Sequence, residues 1–180
     1  MARVYLSLGS NLGDRLERLR AAIERLRAAS EVRFVEASRL YEAEPWESEP
    51  GEPLRRQWYL NCAVVIETPL SPERLLGHLQ AIEGALGRTR PPGTPEANRF
   101  VPRSVDIDIL FYDDRVISVP DALHVPHLLL HERAFVLRPL ADLAPELEHP
   151  ILYRTVRELL SELEDEHEVR PGDFPPRWFD

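Results

Sequence analysis

The order in which hydrophobic periodicity changes along the chain limits the fold more than any other feature. Residues 3–10, "RVYLSLGS", alternate with period two and predict a strand. In "NLGDRLERLRAAIERLRAAS", Leu12, Leu16, Leu19, Ile23 and Leu26 recur at intervals of four, three, four and three, the stripe of a helix that buries one face. Two strand-like segments follow, Val32 to Tyr41 and Trp58 to Thr68, separated by a proline- and glutamate-rich loop. Ser71-Pro72 then opens a second helix, with serine at the N-cap and proline at the first helical position. Leu75, Leu76, Leu79, Ile82 and Leu86 form its apolar face, and Gly87 ends it. After a second irregular stretch, "RTRPPGTPEANRFVPR", residues 103–112 read as a strand. Strand, helix, strand, strand, helix, strand is the order of a ferredoxin-like split βαβ fold. It predicts a mixed α/β (α+β) protein whose antiparallel-rich sheet carries helices on one face, with two long mobile loops.

Beyond this unit the chain predicts a short strand near "RVISV", a helical turn in "ERAFVLRPLADLAP" and a helix in "YRTVRELLSELEDE". Residues 170–180 read as an extended, partly disordered tail. With 180 residues and 43% hydrophobic content, residues 1–180 are expected to form a single domain with a sizeable core. No run has the length of a membrane span, and "MARVYLSLGS" lacks the features of a signal peptide, so the cytoplasm is the expected compartment.

Composition excludes several chemistries. The lone Cys62 rules out an intrachain disulfide and any multi-cysteine zinc site, and its apolar surroundings make it a small buried hydrophobe. All 22 basic residues are arginine, so neither a Walker P-loop lysine nor a Schiff-base lysine exists. Any phosphate must be held by arginine, backbone N–H groups or a metal. A formal charge of −9 argues against nucleic-acid and anionic-membrane partners. "LGSNLGDR" follows a strand, but its glycines at 9 and 13 do not form GxGxxG, and a Rossmann site is discounted.

The strand "VDIDILFY" raises the chemical question. Asp106 and Asp108 stand two apart and point to one face, while Ile107, Ile109 and Phe111 alternate with them and face the core. Like charges side by side on a sheet call for a positive partner. A hard cation such as Mg2+ would serve, since it accepts a few carboxylate oxygens and keeps places for phosphate. A solvated face paired to arginines is the other reading. Arg88, Arg90, Arg99 and Arg103 lie around the aspartates in sequence, and carboxylates beside guanidiniums suit phosphoryl transfer. His124, His127 and His131 have zinc-like spacing, but Pro126 interrupts a helix there, so contact with phosphate or carboxylate is preferred. Tyr59 and Asn61 share one strand face, with Leu60 turned away. A ring beside an amide can stack and read a flat heterocycle, and Phe135 could add a second ring. On periodicity alone these aromatics read first as core.

Taken in order, "GSN", "YLN", "GRTR", "PRSVDIDIL" and "VPHLLLHERAFVLRPLADLAPE" resemble the 6-hydroxymethyl-7,8-dihydropterin pyrophosphokinases of folate biosynthesis, from about Arg3 to Pro150. The resemblance implies ATP as co-substrate, two Mg2+ ions, and diphosphate transfer to the pterin hydroxymethyl group with release of AMP. It implies that Asp106 and Asp108 bind the metals and that Arg88, Arg103 and Arg90 contact the phosphates. Gln80, Glu83, Ile109, His127 and Arg133 fall on nucleotide-side positions. Tyr59 and Phe135 would sandwich the pterin, Asn61 would read its edge, and loop backbone at Ala43 and Trp46 would meet it. The two long loops would act as lids. The chain departs from the family pattern at Phe100-Val101, at Ala43, at Glu47 and at Leu128. Two other readings share some of these features. A different Mg2+-dependent phosphoryl or nucleotidyl transferase would keep the Asp pair without the aromatics, and a non-catalytic small-molecule-binding module would need no metal. Nothing in the pattern demands a dimer, and a monomer is expected.

Overall fold

Asp14, not the start of the leucine stripe, sets the first helix. In the computed structural model, which describes residues 1–46, 58–88 and 104–180, strand β1 (Ala2–Ser10) leads into α1 (Arg15–Ala28). The Asp14 carboxylate accepts the Glu17 N–H at 3.0 Å, a cap that stabilises a helix by about 1 kcal/mol. Leu12 therefore lies ahead of the helix and is 38% exposed. Leu19, Ile23 and Leu26 are fully buried as the spacing predicts.

The predicted strand from Val32 to Tyr41 is two strands, β2 (Arg33–Ala37) and β3 (Tyr41–Ala43). The break falls at Ser38. Its Oγ accepts the Ala63 N–H at 2.9 Å in place of a backbone carbonyl, and its own carbonyl accepts the Trp178 indole N–H at 2.8 Å. Both strands pair with one edge of β4 (Tyr59–Thr68). Next come α2 (Pro72–Ala85), capped by the Ser71 hydroxyl, and β5 (Asp106–Tyr112). The sheet order is β5-β1-β4-β3, antiparallel throughout. This is the ferredoxin-like order that the periodicity predicts.

Two expectations are corrected. First, helices cover both faces of the sheet. Val4, Leu6, Leu8, Leu60 and Ile107 pack under α1 and α2. Tyr5, Ala63, Val65 and Phe111 pack on the other side, under α3 (Ala134–Leu143) and α4 (Val156–Ser161). Phe111 joins this second core because the ladder skips a residue: Leu6 pairs with Ile109 but Tyr5 with Phe111. The bulge at Leu110 reverses the alternation, so Phe111 turns away from Ile107 and Ile109. A hairpin of β6 (Ile117–Val119) and β7 (Leu123–Val125) lies between β5 and α3.

Second, the C-terminal tail is ordered and structural. β8 (Val169–Pro171) adds to β3 as an edge strand. Trp178 is fully buried in the first core. Its carbonyl accepts from Arg20 at 2.6 Å, and the Phe179 carbonyl accepts from Arg27 at 2.9 Å. Among the described residues no helix is long and apolar enough to cross a membrane.

Candidate active site

The second core stops short of one end of the sheet. There β1 ends in Ser7 and Gly9, and the side chains on either side of it become polar. Asp106 pairs with Gly9, and Gly9 pairs with Asn61 on its other edge. Asp108 pairs with Ser7. Asp106, Gly9 and Asn61 thus lie in one row across three strands. The carboxylate and the carboxamide are two strand spacings apart, roughly 10 Å. These residues floor a cavity of about 520 Å³, within the range of small-molecule sites.

Gly9 is the hinge of this arrangement. A Cβ there would stand 2.7 Å from Asn61 Oδ1, too close for the carboxamide to keep its place. Asn61 is 2% exposed, and its Nδ2 has no acceptor among the described residues. A buried amide donor without a partner costs about 1–3 kcal/mol, which a ligand carbonyl would recover. Tyr59, one pleat along on the same face, also lines the cavity, while Leu60 is buried in the opposite core.

The Asp pair has a guanidinium beside it. Arg88 Nη1 bonds both Asp106 and Glu83. Glu83 is 2% exposed, and its Oε1 also accepts the Ile107 N–H at 2.8 Å. Among the described residues β5 is the sheet edge, so Ile107 has no strand partner there on that side, and α2 supplies one through Glu83. Glu83 therefore ties β5 to α2 beneath the cavity.

Ile109 and His127 line the β5–β7 side, and Arg133, Trp46 and Phe135 line the side formed by β3 and α3. The Arg133 guanidinium lies 5.4 Å from the Trp46 ring centre and 5.6 Å from that of Phe135. His127 Nδ1 accepts the Leu129 N–H at 3.3 Å, leaving the proton on Nε2. Burial, reinforced by Arg133, pushes the imidazole down to about 4, so it is neutral at physiological pH.

Nine of the residues that the family resemblance assigns to the site therefore line one cavity, Asp106, Asp108, Ile109, Tyr59, Asn61, Trp46, His127, Arg133 and Phe135, and His124 lines it too. Arg88 and Glu83 stand behind it through Asp106 and Ile107. Ala43 is fully buried next to Tyr59 in the ladder, and Gln80 is exposed on α2. Arg90 and Arg103, with Arg99 and most of both long loops, lie outside the described residues. The three histidines do not share a helix. His124 is on β7, and His131 lies in a 3-10 turn beside His149 rather than in the cavity. Cys62 is 1% exposed in the first core, where burial pushes its thiol far up.

Gly9, Ser7 and Glu44 line the cavity without having been singled out as site residues. A glycine inside a strand is itself a signal of close approach, and "SLGSN" carried it. Glu44 is only 7% exposed but sits within an acidic loop whose other glutamates masked it.

Comparison with known proteins identifies the family. The family model described as 7,8-dihydro-6-hydroxymethylpterin-pyrophosphokinase (HPPK) matches residues 5–145. The 2-amino-4-hydroxy-6-hydroxymethyldihydropteridine pyrophosphokinase of Methylorubrum extorquens is 43% identical over 164 residues, 91% of this chain and 95% of that one. The enzyme of the same name from Pseudomonas aeruginosa is 40% identical, covering 82% of this chain and 84% of its own. The folic acid synthesis protein fol1 of Schizosaccharomyces pombe is 38% identical, over 88% of this chain but only 20% of that longer protein. In three dimensions, Plasmodium falciparum HPPK-DHPS with pteroate superposes at a TM-score of 0.68 and 18% identity, over 89% of this chain and 42% of that one. The chain belongs to the 7,8-dihydro-6-hydroxymethylpterin-pyrophosphokinase family.

Proposed function

We propose that this cavity carries out the family's reaction, transfer of diphosphate from ATP to the hydroxymethyl group of 6-hydroxymethyl-7,8-dihydropterin in folate biosynthesis. The hydroxymethyl oxygen attacks the β-phosphorus of ATP. The bond from that phosphorus to the oxygen bridging it to the α-phosphate breaks, AMP leaves, and the hydroxyl proton is released. The observation that carries the reading is the row Asp106–Gly9–Asn61. It sets a carboxylate pair and a buried amide donor, without an acceptor among the described residues, at opposite ends of a span that fits a fused two-ring heterocycle.

Asp106 and Asp108 would hold Mg2+, two ions in all. Their hard oxygen donors fit the metal, and two carboxylates are as many as Mg2+ commonly takes when phosphates supply further ligands. Held by these two carboxylates, Mg2+ would supply positive charge to offset that of the triphosphate. The protein's own groups do the remaining work. Arg88, paired here with Asp106, can turn the same guanidinium to a phosphate oxygen. Arg90 and Arg103 are assigned the same task. Neutral His127 offers Nε2–H to the nucleotide without adding charge, with Ile109 and Arg133 beside it. On the pterin side, Tyr59 and Phe135 stack on the ring faces, and Asn61 Nδ2 donates to its edge. Such a reaction depends chiefly on positioning and charge stabilisation.

The test is product identity. Protein, ATP, Mg2+ and 6-hydroxymethyl-7,8-dihydropterin are mixed, and AMP is resolved from ADP. The reading predicts AMP formed only when the pterin is present. ADP would mean ordinary γ-phosphoryl transfer and would overturn it, as would pterin-independent turnover.

A further inference from the structure

The family match ends at residue 145, yet the chain beyond it reaches back to the cavity. Asp165, whose side chain is 1% exposed, anchors this return. Its Oδ2 accepts the Ala134 N–H at 2.9 Å, at the start of α3. That end lacks a side-chain cap of its own, since Arg133 at the N-cap makes no such bond. Asp165 Oδ1 accepts both the backbone N–H of His167, at 3.0 Å, and its ring Nδ1, at 2.7 Å. The His167 ring in turn lies on Trp46, with centres 5.2 Å apart and planes inclined by 34°. Trp46 meets Phe135 edge-on at 6.4 Å. One residue further, Glu168 exchanges bonds with cavity-lining Glu44: its N–H donates to Glu44 Oε2 at 2.7 Å, and its carbonyl accepts the Glu44 N–H at 3.0 Å.

We infer that Asp165 and His167 are positioning residues that hold Trp46 and Phe135 as the outer wall of the pterin end of the cavity. One carboxylate fixes both sides of that wall, α3 through Ala134 and the Trp46 loop through His167. The Trp46 indole has the His167 ring, the Phe135 ring and the Arg133 guanidinium around it, and the His167 ring is the more nearly parallel of the two rings, so it helps set the indole's orientation. The Asp pair stands across the row on β5, so the effect falls chiefly on pterin binding, with Arg133 as the one nucleotide-side group packed on the same two rings. The inference rests on the assignment of Phe135 and Trp46 to the pterin side.

Steady-state kinetics on full-length variants test it. His167→Ala should raise the KM for the pterin about 3- to 10-fold, the loss of one aromatic contact. The KM for ATP should rise by less than that for the pterin, and kcat should stay near wild type. His167→Phe, which keeps a ring on Trp46, should bring the pterin KM back to within about twofold. His167→Gln, which keeps a hydrogen-bonding group but no ring, should behave like alanine and covers the case of a poorly folding alanine variant. A pterin KM unchanged in His167→Ala or His167→Gln overturns the inference. So does an equal rise in both KM values, or a phenylalanine variant no better than alanine. Phe135→Ala separates this failure from that of the site: if it raises the pterin KM while the His167 variants do not, only the inference falls. If Phe135→Ala also leaves the pterin KM unchanged, the assignment of the pterin end falls with it.

Discussion

A hydrogen atom in place of a side chain at Gly9 decides where the Asn61 carboxamide can stand. Gly9→Ala would press on Asn61 Oδ1 and should raise the pterin KM about tenfold, the worth of one buried neutral hydrogen bond. Asn61→Ala should cost the same, and the double variant no more than either alone, because both act on one bond. Steady-state KM values for the three proteins check this. His127 gives a pH dependence. Its imidazole titrates near 4 when folded but near 6.5 when unfolded. Between those values the unfolded chain binds the extra proton, so stability that is full above about pH 6.5 is lost as pH falls toward 4. His149, also lowered by burial, acts in the same direction. His127→Gln should flatten the loss by on the order of 1–2 kcal/mol, discounted because the ring faces a partly open cavity. Urea unfolding at pH 7 and pH 4.5 measures it. At this scale the cavity floor was legible, since Asp106 and Asp108, and Tyr59 and Asn61, declare a common face by spacing alone. Gly9 and Glu44 were not, because a neighbour across the sheet gives each its importance.

Strands and helices were legible wherever one period ran uninterrupted. α2 announced its cap, its buried face and its end in sequence. Failures came where a side chain or an inserted residue broke the backbone ladder. Ser38 divides β2 from β3 by taking the Ala63 N–H, and the bulge at Leu110 turns Phe111 to the opposite core. Neither leaves a mark in hydrophobic alternation. The tail shows the same limit, because "RPGDFPPRWFD" has no period at all while Trp178 fills the first core completely. Trp178→Ala should destabilise the protein by about 3–5 kcal/mol. Trp178→Phe, which keeps most of the volume but loses the bond to the Ser38 carbonyl, should cost roughly 1–2 kcal/mol. Denaturant unfolding of both variants compares the two losses. Equal and negligible losses would return the tail to the status of an appendage.

The whole molecule carries a formal charge of −9, so its overall field repels a nucleotide triphosphate. Binding ATP must therefore be local, and the proposed means are guanidiniums at the cavity and metal on the Asp pair. Two helical layers cover both faces of the sheet but leave the polar end of β1, β4 and β5 open. That opening gathers carboxylates, arginines and aromatic rings from distant parts of the chain. On the proposed reading, Asp106 and Asp108 make this opening a Mg2+-dependent phosphoryl-transfer site. Pterin-dependent AMP formation across a Mg2+ titration, in the wild type and in Asp108→Asn, tests it most directly. The expected result is no turnover without Mg2+ and a loss of at least roughly 100-fold in the variant at saturating metal, with the thermal midpoint and pterin binding retained. An Asp108→Asn protein that forms AMP at the wild-type rate, with the same metal requirement, would contradict it.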